Sequence, residues 1–412
     1  DIASALLGDL QRDPWKAKAD PLEIAKVMGL HGKGWPWTPY IFAALGETYN
    51  PQEQIAARKA LNIWQHLPEW AEEAPEPPPA HHAVTAVEAR ERLKTLLGPE
   101  AEEREQQFEY AEALIPAFAP PLQKQDSEET TPHIVIAEAG TGIGKTLGYL
   151  APASVWAEKN GGTVWISTYT KNLQRQIDQE LSRLYPDPTL KDTHVAIRKG
   201  RENYLCLLNL EETAAGAGLA RHPNQAIAAG IMARWAAATR DGDLTGTDYP
   251  GWLPGLLGHA QTSGLADRRG ECIYAACDHY HKCFIERGIR KSKRARIVIA
   301  NHALVMIQAA LSMPGEDLPG RYVFDEGHHL FDAADSAFAA HLTAQETRDL
   351  RRWILGAEGG KQSRARGLKR RAEDLAEGDA EAEKAVADIL YEATCLTSDG
   401  WPQRLKQGEP SG

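Results

Sequence analysis

Cysteine is scarce in this chain, and its spacing excludes one class of protein. Five cysteines occur among 412 residues, and four of them lie between positions 206 and 283. A secreted disulfide scaffold has a short chain with a dense set of cysteines. The clustering predicts that four thiols bind a metal or serve a redox role in a reducing compartment.

Long apolar runs and an excess of positive charge are also missing. No run approaches the ~20 apolar residues that a membrane-spanning helix needs, and no secretory signal is visible. We therefore expect a globular, cytoplasmic protein without a membrane partner. The net charge is −11, so any nucleic-acid surface must be local. Because the chain starts at Asp1 and ends in helical-looking sequence, we expect a fragment at both ends.

Short apolar runs alternate with helical patterns over much of the chain. This rhythm predicts an α/β fold with a doubly wound parallel sheet. Residues 84–118 have a helical pattern, and helices are predicted over 146–156 and 173–184. The predicted strands cover residues 133–138, 163–168, 194–197, 296–300 and 322–325. Residues 200–295 interrupt the rhythm, and the four clustered cysteines fall within this interval.

The first 72 residues look helical and are rich in tryptophan. A stiff, proline-rich linker follows at residues 74–80. We interpret the tryptophans as core or interface residues of a small helical domain. A base-stacking role is the alternative, although no basic residues are interleaved with them. The five are Trp15, Trp35, Trp37, Trp64 and Trp70.

A glycine-rich loop follows the first predicted strand and matches a phosphate-binding loop except at its first position. Its backbone N–H groups and the dipole of the next helix would hold phosphate oxygens. Lys145 would neutralise the β- and γ-phosphates, and the Thr146 hydroxyl would bind Mg²⁺. The loop consists of Ala139, Gly140, Thr141, Gly142, Ile143, Gly144, Lys145 and Thr146.

An acidic box follows the last predicted strand. Asp325 would hold Mg²⁺, and Glu326 would act as general base for the attacking water. Helix capping is the alternative use of such residues. His328 is a candidate for coupling the nucleotide site to a neighbouring domain, and His329 is interpreted as such a residue or as a packing residue.

Three cysteines occur within twelve residues, at Cys272, Cys277 and Cys283, and Cys206 would supply a fourth thiolate. Four thiolates suit a [4Fe–4S] cluster or a structural zinc ion. The paired C-x₂-C spacing typical of zinc is absent, but His279 and His281 leave a mixed zinc site open. Cys395 stands apart and is interpreted as an ordinary small residue, either buried or at the surface.

A basic run follows the last clustered cysteine. Six of the ten residues from 287 to 296 are basic, which favours contact with a phosphate backbone over a merely solvated face. Arg268 and Arg269 would extend this patch. The candidate contacts are Arg290, Lys291, Lys293 and Arg294.

Together these motifs resemble the iron–sulfur superfamily 2 DNA helicases, specifically bacterial DinG-like helicases related to XPD. The resemblance covers residues 100–340. The loop ending at Thr146 resembles the first motif of the family. The Asp325–His328 box resembles its DEAH box, with Gly327 in place of alanine. Asn301 and His302 resemble the segment where the chain returns from the insert to the motor domain. The resemblance implies a [4Fe–4S] cluster on the four clustered cysteines and Gln107 as adenine reader. It also implies DNA contacts from Thr168, Thr170, Gln174 and Tyr204.

The resemblance implies five regions. Residues 1–80 form a helical N-terminal region and linker, and residues 81–200 begin a RecA-like lobe. Residues 201–295 form a mainly helical iron–sulfur domain, residues 296–340 complete the lobe, and residues 341–412 begin a helical arch. A second RecA-like lobe is not in the chain, so we expect no unwinding from this chain alone.

The implied function is an ATP-dependent DNA helicase for DNA repair or replication, moving 5′→3′ on single-stranded DNA and opening forked or duplex DNA. Its cofactors would be ATP, Mg²⁺ and the cluster, and we expect a monomer. Two alternatives stay open. One is an ATP-switched nucleic-acid-binding protein without unwinding activity, and the other is a phosphate-loop ATPase with a structural zinc module.

Overall fold

The computed structural model describes most of the chain, namely residues 21–29, 34–51, 61–123, 130–140, 142–217, 224–267, 271–312, 319–340, 342–356, 367–398 and 401. Four residues singled out above lie outside these ranges: Trp15, Thr141, Arg268 and Arg269. No helix in the described ranges is both long and apolar enough to cross a membrane.

Sixteen α-helices occur in the described ranges. They are α1 Pro21–Met28, α2 Thr38–Ala44, α3 Ala86–Leu97, α4 Glu105–Ala113, α5 Lys145–Asn160, α6 Lys171–Leu184, α7 Pro188–His194, α8 Leu207–Ala217, α9 Asn224–Ala238, α10 Leu253–Leu257, α11 Phe284–Arg294, α12 His302–Leu311, α13 Leu330–Phe338, α14 Ala344–Leu355, α15 Gly367–Ala376 and α16 Ala380–Glu392.

Six strands occur in the same ranges. They are β1 Leu122–Gln123, β2 Thr130–Thr131, β3 Val164–Thr168, β4 Val195–Ile197, β5 Ile297–Asn301 and β6 Arg321–Phe324. Strands β1 and β2 form a small antiparallel pair. The other four form a parallel sheet in the order β4-β5-β3-β6.

The chain divides into two compact units. The sheet unit comprises Trp70–Gly200 and Phe284–Ala339 and holds the parallel sheet. The insert unit comprises Asp1–Glu69, Arg201–Cys283 and Ala340–Gly412. The functions assigned above to the five regions stay predictions.

The parallel sheet is covered on both faces, as the apolar runs predict. Alternate residues of a strand point to opposite faces, and a strand buried on both faces reads as a continuous apolar run. One core packs α3, α5 and α6 against Val164, Ile166, Ile297 and Ile299. The second packs α12 against Trp165, Val298 and Ala300. The predicted α/β fold with a parallel sheet is therefore confirmed.

The predicted strand over residues 133–138 is wrong. This segment is irregular and exposed: the side chains of Ile134 and Ile136 are 79% and 95% accessible. An apolar, β-branched run forms a strand only where a neighbouring strand accepts its backbone hydrogen bonds. In the described ranges this segment has no such ladder.

Two helical expectations are only partly met. The pattern over residues 84–118 is divided between α3, α4 and a 3₁₀ turn at Ile115–Phe118. Before residue 72, the described residues contain the short helices α1 and α2 and a 3₁₀ turn at Ile63–His66. Trp64 and Trp70 are buried as predicted, whereas Trp37 is 39% exposed.

The insert unit is mainly helical in its described parts. Helix α1 packs closely on α9 because Gly230 has no side chain: a Cβ there would lie 2.1 Å from Cγ of Met28. Within the same unit, the buried carboxylate of Glu271 pairs with Arg352 of α14 at 2.8 Å. This ion pair connects the segment after residue 340 to the cysteine-bearing segment.

Candidate nucleotide site and cysteine cluster

The glycine loop turns sharply into the N-terminus of α5. Gly142 and Gly144 adopt positive φ angles of 85° and 84°, a conformation that costs little only for glycine. Gly144 is the N-cap residue of α5. The free N–H groups and the positive dipole end of this helix suit a phosphate group.

Two side chains from the start of α4 fix the end of this loop. Arg104 donates a hydrogen bond to the carbonyl of Gly142 at 2.9 Å, and Gln107 Nε2 donates to the carbonyl of Gly144 at 2.9 Å. Gln107 is 3% exposed. The predicted adenine reader therefore contacts the phosphate-binding loop itself.

The structure brings together the lysine and the acidic box that the sequence separates by 180 residues. Lys145 Nζ lies 3.7 Å from Glu326 Oε1. Burial raises the pKa of Asp325, the negative charge of Glu326 raises it further, and Lys145 acts in the opposite direction. A second cation beside Asp325 would relieve this electrostatic cost. The donor chemistry therefore fits Mg²⁺ held by Asp325 and Thr146.

The acidic box adopts an unusual backbone conformation. Glu326 lies in the left-handed region with φ 55° and ψ 47°, which is uncommon for a residue with a side chain. His328 is mostly exposed, and its Nδ1 lies 3.6 Å from Glu326 Oε2. The His329 ring stacks on Tyr169 with centroids 3.8 Å apart.

A buried histidine, His302, lies beside this box. The sequence resemblance had placed it only in the segment where the chain returns to the motor domain. His302 is 1% exposed, and its Nδ1 shares a hydrogen bond of 2.7 Å with Ser167 Oγ. Burial lowers the pKa of His302, and hydrogen bonding to the backbone of Asp325 and Glu326 opposes that shift. These bonds are weak, because His302 Nε2 makes no hydrogen bond of ordinary length and angle in the described residues.

Three of the predicted DNA contacts, Thr168, Thr170 and Gln174, lie between the end of β3 and the first turns of α6. Thr168 and Gln174 are buried, at 0% and 2% exposure, and neither amide atom of Gln174 has a partner in the described ranges. Thr170 is exposed, and its hydroxyl caps α6 by accepting from the N–H of Leu173. Tyr204, in the insert unit, is 6% exposed. DNA contact by these four residues stays a prediction.

The basic run forms the last two turns of α11 and the residues after it, and much of its charge is already paired. Lys291 Nζ lies 2.6 Å from Asp192 Oδ1. Arg290 lies over the ring of Trp70, 3.5 Å from the centroid. Lys293 is exposed.

Residues Trp70–Ala80, here called the acidic linker, supply further partners. Arg294 pairs with Glu73 and also donates to the carbonyl of Ala74 at 3.2 Å. Arg296 lies 3.8 Å from Glu76. The linker therefore occupies part of the surface that the sequence predicts for DNA phosphates.

The four clustered cysteines are all partly buried in the insert unit. Cys206 lies just before α8, and its N–H donates to the carbonyl of Leu265 at 3.0 Å. Cys277 and Cys283 each follow a short 3₁₀ turn. In the described ranges, no three His, Cys, Asp or Glu side chains come close enough together to hold a metal ion.

Cys272 has polar surroundings. Its Sγ accepts hydrogen bonds from Arg201 Nη2 at 3.0 Å and from the N–H of Tyr274 at 3.4 Å. Burial raises the pKa of Cys272, whereas these two donors lower it. Donors of this kind would stabilise a thiolate or a sulfur of a bound cluster.

His279 is engaged by other groups. Its Nε2 lies 2.9 Å from Glu211 Oε2, and its ring contacts that of Trp64 at 4.6 Å between centroids. These contacts occupy Nε2 of His279 and leave the mixed cysteine–histidine zinc site, with His279 or His281, a prediction.

Several residues that contribute to these sites were missed, or given another role, by the sequence analysis. Their partners are distant along the chain, so no local pattern marks them. Tyr169 and Ser167 had a weak signal, because they flank Thr168, a predicted DNA contact. The missed residues include Trp70, Glu73, Glu76, Ser167, Tyr169, Asp192, Arg201, Glu211 and His302.

Sequence comparison finds similar proteins among the DNA helicases. The chain is 35% identical over 256 residues to the ATP-dependent DNA helicase YoaA of Escherichia coli K12, covering 57% of this chain and 37% of that protein. It is 32% identical over 258 residues to the ATP-dependent helicase DinG of Mycobacterium tuberculosis H37Rv, covering 58% and 36% respectively. The 3′-5′ exonuclease DinG of Bacillus subtilis 168 is 29% identical over 263 residues, covering 61% and 25%.

No family model matches the chain. The chain spans little more than a third of the length of the first two of these relatives. The predicted resemblance to DinG-like helicases is confirmed over somewhat more than half of this chain.

Proposed function

We propose that the protein is an ATP-dependent DNA helicase that couples hydrolysis to 5′→3′ movement on single-stranded DNA and to opening of duplex or forked DNA in repair or replication. The observation that best supports this proposal is the distance of 3.7 Å between Lys145 Nζ and Glu326 Oε1. This pair lies beside a glycine loop that leads into the N-terminus of a helix. This arrangement has the parts that phosphoryl transfer requires.

Each residue of this site has a distinct role in the proposal. The loop N–H groups and Lys145 bind the β- and γ-phosphates, and Glu326 orients and deprotonates the attacking water. Thr146 and Asp325 would hold Mg²⁺, which would supply positive charge to the phosphates. Gln107 reads the adenine, and His328 couples the site to DNA.

Steady-state hydrolysis tests the nucleotide site directly. We expect Lys145→Ala and Glu326→Gln to lower DNA-stimulated ATP hydrolysis by at least about 100-fold. Lys384→Ala removes an exposed lysine of α16 and should leave the rate unchanged. Hydrolysis that survives both site variants refutes the assignment.

Strand displacement by the complete protein separates a helicase from an ATP-switched binding protein. A helicase releases a labelled strand only when ATP is hydrolysed, and Glu326→Gln abolishes that release. A switch protein changes its DNA affinity with bound nucleotide and releases no strand. Substrates with only a 5′ or only a 3′ single-stranded tail then give the direction.

DNA would contact the carboxyl edge of the sheet and the basic run in this proposal. The contacts are Thr168, Thr170, Gln174, Tyr204, Arg290, Lys291, Lys293 and Arg294. The unpartnered amide of buried Gln174 supports a polar ligand at this edge. The exposed Lys293 supports contact with phosphates.

We further propose that Cys206, Cys272, Cys277 and Cys283 hold a [4Fe–4S] cluster that braces the insert unit. One observation supports this: two hydrogen-bond donors face Cys272 Sγ. Hydrogen bonds to cluster sulfurs are a normal feature of such sites. The alternative is a zinc ion on the same thiolates.

Measuring the iron, sulfide and zinc content of the purified protein distinguishes an iron–sulfur cluster from a zinc ion without an activity assay. We expect anaerobically purified protein to contain iron and acid-labile sulfide in equal amounts and to be coloured. Cys272→Ser should lose the iron, whereas Cys395→Ser, at an exposed cysteine, should keep it. Colourless protein loaded with zinc overturns the iron–sulfur assignment.

The remaining parts of the proposal concern the state of the protein in the cell. A cytoplasmic monomer, associated with the nucleoid when bound to DNA, fits an enzyme that acts on chromosomal DNA. Light scattering tests the oligomeric state. A tagged copy that does not overlap the nucleoid in fluorescence images contradicts the location.

A further inference from the structure

Three strands of the sheet unit end close together beside the acidic box. Ser167 lies on the central strand β3, where it pairs with Ala300 of β5 and Phe324 of β6. Asp325 follows β6, and its N–H donates to the carbonyl of Ser167 at 2.8 Å. Ser167 thus holds the backbone of the box through its own main chain.

The side chain of Ser167 holds His302 from the same position. Ser167 Oγ and His302 Nδ1 are 2.7 Å apart, and both residues are at most 1% exposed. His302 is the first residue of α12, directly after β5, and Asn301 caps that helix by accepting from the N–H of Leu304. The imidazole is therefore held by its hydrogen bond with Ser167 and by its position at the capped N-terminus of α12.

The other ring nitrogen of His302 lies on the side of the acidic box. Nε2 is buried and makes no hydrogen bond of ordinary length and angle in the described residues, but the ring has weaker hydrogen bonds to the backbone of Asp325 and of Glu326. A buried polar atom without a full hydrogen bond costs up to about 1–3 kcal/mol. The cost indicates that the interaction with the turn has a role besides packing.

We propose that His302 is a positioning residue that supports the Asp325–Glu326 turn through Nε2 and thereby sets the place of the Glu326 carboxylate. The hydrogen bonds of the ring to the backbone of Asp325 and Glu326 provide this support. The turn needs such support because Glu326 occupies the left-handed region. This inference rests on the proposed nucleotide site.

Two substitutions at His302 separate the two ring nitrogens, because asparagine places a polar atom near the Nδ1 position and glutamine near the Nε2 position. In the complete protein, we expect His302→Asn to lower kcat for ATP hydrolysis about 10- to 100-fold. We expect His302→Gln to stay within about 5-fold of the unchanged protein. Neither should change KM for ATP more than about 2-fold.

Ser167→Ala is a second, milder variant in case His302→Asn does not fold. It frees the imidazole and should also lower kcat without changing KM. Ser154→Ala removes another buried serine hydroxyl, in α5, and controls for packing and stability. We expect Ser154→Ala to keep its kcat even if its melting temperature falls.

The outcomes separate the inference from the function on which it rests. Full kcat in His302→Asn or in Ser167→Ala overturns the positioning role, as does an equal loss in the asparagine and glutamine variants. Hydrolysis that persists in both Lys145→Ala and Glu326→Gln overturns the proposed function instead.

Discussion

The acidic linker should compete with DNA for the basic run. Arg294 pairs with Glu73 and Arg296 with Glu76, and these four side chains are between 26% and 52% exposed. Ion pairs this exposed contribute about 0.2–1 kcal/mol each. If DNA must break both ion pairs to bind, its binding free energy becomes less favourable by about 0.4–2 kcal/mol, which lowers the affinity about 2- to 30-fold.

The double substitution Glu73→Gln with Glu76→Gln should therefore tighten binding of single-stranded DNA by about that factor. Fluorescence anisotropy with a labelled oligonucleotide measures the change over a range of salt concentrations. Since the freed arginines would release counterions on binding DNA, the double variant should show a steeper salt dependence, by at most about two further ions. The gain in affinity should then shrink at high salt.

Glu72→Gln provides a matched control, since Glu72 lies in the same linker and is exposed. It changes the net charge as much as Glu73→Gln alone. Equal effects of these two single variants would mean that general charge, and not the ion pair with Arg294, governs affinity. The reasoning is refuted if the double variant binds no more tightly than the unchanged protein at low salt.

The other predictions concern the capping of α3 and the loop contact of α4. Lys159, then the N–H and hydroxyl of Thr85, hold the pKa of Glu88 at about 2 instead of 4.5. Because the pKa is lowered in the folded state, the stabilisation is full above pH 4.5 and is lost as the pH falls toward 2. Glu88→Gln should cost about 1 kcal/mol in urea unfolding at pH 7, and less at pH 4. An equal cost at both pH values contradicts this. Gln107→Ala removes the proposed adenine reader and should raise KM for ATP more than KM for GTP, whereas loss of its bond to the Gly144 carbonyl alone would raise both equally. Unchanged discrimination between the two nucleotides would refute adenine reading.

Much of the sheet could be predicted from sequence because its strands are buried on both faces. Runs such as residues 297–300 are continuous and apolar. The same signal failed over residues 133–138, since apolar character does not reveal whether a neighbouring strand is available for pairing. Pairing is a property of the fold and not of the segment.

The candidate nucleotide site was predictable because each half is a local motif. The loop and the box each specify their chemistry within a few residues, and only their approach needed the structure. The partners of the basic run could not be found in this way: Glu73 lies more than 200 positions before Arg294. His302 was equally hidden, since its partner Ser167 is 135 residues away.

The edge position of β6 has a practical consequence. Among the described strands, β6 has a neighbour only on its β3 side. An uncovered edge can pair with another chain, and the exposed, apolar residues Ile134 and Ile136 in the same unit are strand-forming in character. Concentrated samples of this chain should therefore self-associate slowly through intermolecular strand pairing, and a charged residue in place of Ile136 should delay that loss of soluble material.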